Sequence, residues 1–208
     1  MNEIDLGWIL SVAGFALATS ATPGPNNAMA AASGATWGIR RTWWHILGIA
    51  VGFPVMFVGV ALGAGDLLER HPVVHEVLRW VGAAYMLWLA WHIAMADPAG
   101  ATGGGGQGRG RPLRFHEAAL FQWINPKAWI IVVGALATYT RAEGEALLLQ
   151  VLLLAAIFFL VCIPSVLLWT AIGAGVARLF KTARSIRVFN WAMALLLVAS
   201  LVPLFLEI

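Results

Sequence analysis

Residues 6–32 read LGWILSVAGFALATSATPGPNNAMAAA, without one charged side chain. A transmembrane helix needs roughly 20 apolar residues, so this run is long enough to cross a bilayer. Its centre, Thr22-Pro23-Gly24-Pro25-Asn26-Asn27, opposes a continuous helix. Two prolines in four residues remove two backbone donors and clash with the preceding turn. Gly24 adds backbone freedom between them. Thr22 is suited to cap a new half-helix with Pro23 at its first position. The run predicts a membrane helix that stops and restarts inside the membrane.

The rest of the chain has the same character. Of its 208 residues, 61% are hydrophobic and 11% charged, and mean hydropathy is +0.82. A soluble domain carries about a quarter charged residues. Such a composition excludes an ordinary soluble enzyme, a disordered chain and a fibrous repeat. Six apolar segments stand out, at 6–32, 45–64, 77–96, 116–138, 146–173 and 187–206. All are too long for strands and lack the alternation of a barrel. The expected fold is all-α, a polytopic membrane protein of six transmembrane helices. Glu3 and Asp5 precede the first span without any Lys or Arg, unlike a signal peptide, so we read it as a retained span. Cys162 is the single cysteine, which excludes an internal disulfide.

Cations set the orientation. Arg40, Arg41, Arg109, Arg111, Arg114, Arg178, Lys181, Arg184 and Arg187 flank the odd-numbered loops. Arg70, Arg79 and Arg141 lie on the opposite side. The positive-inside rule puts the odd loops in the cytoplasm and both termini outside. Trp37, Trp43 and Trp44 suit an aromatic belt at the cytoplasmic interface. The pI near 9.6 reflects short loops rather than a basic face, so nucleic acid is not an expected partner; membrane lipid is.

Residues 100–112, GATGGGGQGRGRP, lack the Lys and flanking strand of a phosphate-binding loop. They read as a flexible cytoplasmic linker within a single domain over 1–208, joining repeat halves of about 1–99 and 113–208. In the second half, Asn125-Pro126-Lys127 again pairs a preferred cap with a helix-starting proline. Both interruptions fall in the first span of their half. Three spans per half turn the second half upside down, giving two inverted three-helix repeats. In transporters of that layout, broken helices meet near the midplane and their N-terminal ends bind anionic groups.

The expected substrate-binding set is therefore Thr22, Pro23, Gly24, Pro25, Asn26, Asn27, Asn125, Pro126 and Lys127. Lys127 is the one charge deep inside a span. A buried ammonium is costly unless paired or wet, so it suits either a substrate carboxylate or a transported proton. His92, toward the cytoplasmic end of span three, is a second proton-coupling candidate. No carboxylate lies mid-membrane, which leans toward a neutral zwitterion or an anion. Asn190 lies near the start of span six, a weaker place for substrate contact. Gly48, Gly52, Gly59 and Gly63 line one face of span two, for packing within the bundle or for a homodimer seam. His71, His75 and Glu76 lack a clear further ligand and suggest no metal; no cofactor is implied.

At Thr22-Pro23-Gly24-Pro25-Asn26 the sequence resembles the LysE/RhtB family of bacterial amino-acid exporters, whose first-span signature is T-P-G-P-N. The likeness continues through Ser33-Gly34, Trp37-Gly38-Ile39-Arg40-Arg41, Gly82-Ala83-Ala84-Tyr85-Met86-Leu87, Gln122-Trp123-Ile124-Asn125-Pro126-Lys127 and Arg187-Val188-Phe189-Asn190. Pro25-Asn26-Asn27 and the stretch from Gly82 to Trp91 look most like its cysteine/O-acetylserine branch. His92 departs from the basic residue expected there. The resemblance implies efflux of small amino acids or derivatives across the bacterial inner membrane, driven by the proton-motive force. A membrane-embedded enzyme is the alternative, but the deep spans offer no histidine–carboxylate pair or metal cluster. A passive channel or assembly subunit is the other. The lack of a Walker motif excludes an ATP-driven pump for this chain alone.

Overall fold

A computed structural model describes residues 4–65, 70–96, 111–140, 144–180, 182–202 and 205. Among the described residues all regular structure is helical: α1 (Leu6–Ala21), α2 (Pro25–Gly59), α3 (Pro72–Ala94), α4 (Phe115–Phe121), α5 (Pro126–Tyr139), α6 (Gly144–Phe180) and α7 (Ala183–Ala199). A π-helical turn, Val60–Ala64, extends α2, and a 3-10 turn, Gln122–Ile124, follows α4. Asp5 opens α1 by accepting from the Trp8 amide at 2.7 Å, a side-chain cap of the usual kind.

Helix α2 is two arms rather than one rod. Gly38 has φ 76° and ψ 170°, which only glycine adopts cheaply. The Ser33 and Thr42 hydroxyls are 2.8 Å apart. In a straight helix nine residues rise about 13.5 Å, so the chain turns back at Gly38. Thr42 also donates to the Gly38 carbonyl at 2.9 Å, which holds the turn. Arg40 and Arg41 follow this turn, with Trp43 and Trp44 exposed beside them.

The first arm, 25–37, is the centre of the bundle. Every residue from Asn27 to Thr36 is buried. Its sequence, NAMAAASGAT, is small on nearly every face, so neighbours can approach closely on all sides. A Cβ on Gly34 would lie 2.1 Å from the Thr170 carbonyl oxygen, and one on Gly173 would lie 1.9 Å from that of Ala31. Helix α6 therefore touches this arm backbone to backbone. Met29 joins Met86 of α3 and Leu197 of α7 in one apolar cluster. Met193 of α7 packs with Ala28, Ala31 and Ala32.

The second arm, 39–59, uses its glycines on α4. Added Cβ atoms on Gly48, Gly52 and Gly59 would strike the Phe115 carbonyl, Ala119 and the Trp123 ring. The glycine face thus serves packing within the bundle. Gly63 does not share that contact; it has open space and φ +108°, and so accommodates a kink.

The outer surface is apolar. Leu6, Leu10 and Leu17 of α1, Leu160 and Leu168 of α6, and Leu195 of α7 are exposed, as expected where lipid is the solvent. Pro25–Ala64 and Gly144–Leu179 are long and apolar enough to cross a membrane, and α4 with its 3-10 turn and α5 form a broken candidate span bent by 70°. Most of the linker, 97–110, lies outside the described residues. So do Asp66, Glu69, Arg141, Glu143 and Lys181, and the side chain of His75.

Candidate functional site: two helix breaks in contact

The first break follows from its prolines. A residue before proline is pushed out of the α region. Thr22, before Pro23, sits at φ −68°, ψ 146° and ends α1. Gly24, before Pro25, is fully extended. The helix therefore restarts at the second proline, with Gly24 as cap and Pro25 at the first position. The expectation that Thr22 and Pro23 begin the new half-helix is corrected. The Thr22 hydroxyl instead donates back to the Thr19 carbonyl at 2.9 Å. At the second break Asn125 caps α5, its side-chain oxygen accepting from the Lys127 amide at 3.1 Å, with Pro126 at the first position.

The two breaks touch. Lys127 Nζ donates to Thr22 O at 3.0 Å, Thr22 Oγ1 at 2.7 Å and Pro23 O at 3.1 Å. The cation thus lies on the carbonyl end of α1, where the helix dipole is negative. Gly24 makes room for it, since a Cβ there would be 2.7 Å from Lys127 Cδ. Asn27 Nδ2 donates to Ser20 O at 2.7 Å and Thr22 O at 2.8 Å. Trp169 Nε1 donates to Ala21 O at 3.0 Å. Each carbonyl from Ser20 to Pro23 therefore has a side-chain donor from α2, α5 or α6. Backbone groups left open inside a membrane must be satisfied internally, and these residues do it.

A second bridge joins α2 to the 3-10 turn. Asn26 Nδ2 donates to Gln122 Oε1 at 2.9 Å, and Gln122 Nε2 donates back to Asn26 Oδ1 at 3.2 Å. Gln122 Nε2 also donates to Ala118 O at 2.8 Å. Between the breaks is a cavity of about 20 Å³. Gly24, Asn26, Asn27, Asn125 and Lys127 line its polar side; Ile49, Phe53, Ile131, Cys162 and Val166 line its apolar side. That volume suits about one water, and an amino acid has several times its bulk.

The structure thus brings Thr22, Pro23, Gly24, Pro25, Asn26, Asn27, Asn125, Pro126 and Lys127 together. His92 is apart, on an exposed part of α3, with Nδ1 2.9 Å from the Trp88 carbonyl. Asn190 is buried against the first arm, its Nδ2 3.5 Å from Thr36 Oγ1. No group of three metal-ligating side chains occurs among the described residues. Sequence reasoning missed Gln122, Trp169 and Phe53 as site residues. Gln122 carried a usable signal: an uncharged amide in an apolar span, three residues before Asn125 and so near its helical face. Just before α4, Arg111 Nη1 donates to Glu117 Oε2 at 2.6 Å, and this bond raises the Arg111 pKa.

Residues 17–205 match the family described as LysE type translocator. The chain belongs to the LysE type translocator family. It is similar to a cysteine/O-acetylserine efflux protein of Klebsiella pneumoniae, 35% identical, with 93% of this chain and 94% of that protein covered. The protein of the same description in Escherichia coli K12 is 33% identical over 92% of this chain and 94% of its own length. No solved structure matches. The family's members are translocators, not enzymes, and the helix breaks lie inside the family match.

Proposed function

We propose that this LysE-type chain exports small, neutral amino acids or their derivatives, of the cysteine, O-acetylserine and homoserine/threonine type, through the site between its two helix breaks. The observation that carries the proposal is the Lys127 ammonium resting on the Thr22 and Pro23 carbonyls. A zwitterion can replace both halves of that contact. Its carboxylate takes Lys127 and the first-turn amides of α2, which have no partner within their own helix. Its ammonium takes the carbonyls that Lys127 leaves. Its side chain then falls on the apolar wall of Ile49, Phe53 and Val166. No carboxylate lines the cavity, so a cationic side chain finds no counter-charge there. The names of the curated relatives support the same substrate class.

The six spans form two inverted repeats in the inner membrane, with both termini outside and the arginine-rich loops in the cytoplasm. Transport alternates access at the breaks and runs on the proton-motive force, with Lys127 and His92 as the proton-coupling residues suggested by sequence. The chain acts alone or as a homodimer. Proteoliposomes loaded with labelled cysteine, O-acetylserine, homoserine, threonine or lysine test this, with and without a pH gradient. The expected result is saturable, gradient-stimulated loss of the neutral compounds and not of lysine. Retention of all five would overturn the proposal.

A further inference from the structure

Among the buried polar side chains of the described residues, His45 is the one imidazole, the side chain whose ordinary titration range is closest to neutral pH. It is 2% exposed, and neither ring nitrogen has a hydrogen-bond partner. An unpaired buried polar group is costly, and ionisable groups kept inside membrane bundles commonly mark ion or proton pathways.

Its place fits such a pathway. His45 lies on the second arm of α2, one turn from Gly48. At Gly48 that arm meets the start of α4, at Phe115 and Ala118. Four residues earlier is Arg41, just past the Gly38 turn. His45 is thus at the arginine-rich end of the bundle, while Lys127 sits at the breaks. The ionisable groups at this end are Arg40 and Arg41 on its own arm, Arg111 and Arg114 before α4, His116 and Glu117 on α4, and Tyr85 on α3. Of these, Glu117 is the one carboxylate. Glu117 in turn is held by Arg111. His92 has a carbonyl partner and an exposed position; it has neither the burial nor the unmet bonds of His45.

We propose that His45 carries the coupling proton through the cytoplasmic half of the protein. A ring nitrogen takes a proton arriving along the pathway when the α2–α4 contact opens. The same nitrogen releases it to cytoplasmic water, so one proton enters the cell and the imidazole returns to its neutral form. This rests on the exporter reading above, and adds to its sequence-suggested candidates, Lys127 and His92, a further coupling residue on the cytoplasmic side.

The test uses the full-length protein in proteoliposomes, with cysteine as the substrate and a pH-sensitive dye to count protons. In His45→Gln, gradient-driven efflux and its proton uptake are lost, because the glutamine amide cannot take up and release a proton. Exchange of internal for external cysteine, which needs no net proton movement, persists. Gradient-driven efflux that survives the substitution, or loss of efflux and exchange together in a correctly folded variant, would overturn the assignment. Should His45→Gln fail to fold, diethyl pyrocarbonate labelling of the wild type followed by peptide mass spectrometry decides. Labelling of His45 during gradient-driven turnover, with loss of coupling, supports the proposal; a ring that never reacts overturns it. Wild-type protein that moves no amino acid would instead refute the exporter reading itself.

Discussion

Gly24→Ala probes the contact between the breaks with the smallest possible change. The added Cβ would lie 2.7 Å from Lys127 Cδ and 3.0 Å from Nζ. Ordinary contact begins at 3.4 Å, so the lysine chain must withdraw by about 0.7 Å. Its bonds to Thr22 O and Pro23 O, now 3.0 and 3.1 Å, would then pass the limit of a useful hydrogen bond. One charge-assisted bond is worth about 1.5–3 kcal/mol. At about 1.4 kcal/mol per factor of ten, the resting contact should weaken between about tenfold and a hundredfold, and the export rate should depart from wild type. Backbone strain plays no part, because Gly24 is extended with φ 179°, a conformation open to alanine. Gly14→Ala is the control, since a Cβ there meets nothing within 4 Å. The assay is initial efflux rate per reconstituted protein, with thermal stability measured alongside. Wild-type efflux in Gly24→Ala would refute the idea that Lys127 must lie on the first break.

Other contacts give separate tests. Gly173→Leu should cost about 3 kcal/mol by overpacking against the Ala31 carbonyl, read as a fall of about 10 °C in the melting temperature of detergent-solubilised protein. Asn26→Leu and Gln122→Leu should each impair export, and the double variant should lose less than the sum, because either change alone strands a buried amide. Cys162, the sole cysteine, lines the closed cavity; maleimide labelling should be slow at rest and quicken when transport opens the site. Phe53→Ala should extend export to longer apolar side chains such as methionine, measured by a substrate panel, because it removes the largest part of the apolar wall.

The sequence carried much of this account. Prolines inside apolar runs marked both helix breaks, Pro23 and Pro25 at the first and Pro126 at the second, and covalent limits on proline allow little else. The position of the first restart was less legible. Both Thr22-Pro23 and Gly24-Pro25 satisfy the rules for helix starts, and the choice falls to the extended backbone required before each proline. The turn at Gly38 was visible only as a glycine beside two arginines; its positive φ depends on where the two arms pack. Lys127 was readable as a deep charge, but its resting partners were not, because backbone carbonyls leave no trace in a sequence. His45 was equally hidden. It sits at the start of an apolar segment among tryptophans, and only the packing of α2 on α4 buries it.

The central claim is that Lys127 joins the two breaks and yields to the substrate. Efflux of cysteine from proteoliposomes, wild type against Lys127→Met, tests it most directly. Methionine keeps the unbranched chain, one atom shorter, and removes the ammonium donors. The account predicts that Lys127→Met remains folded and loses saturable cysteine export. Export at the wild-type rate from the variant would contradict it and would place the transport site elsewhere in the fold.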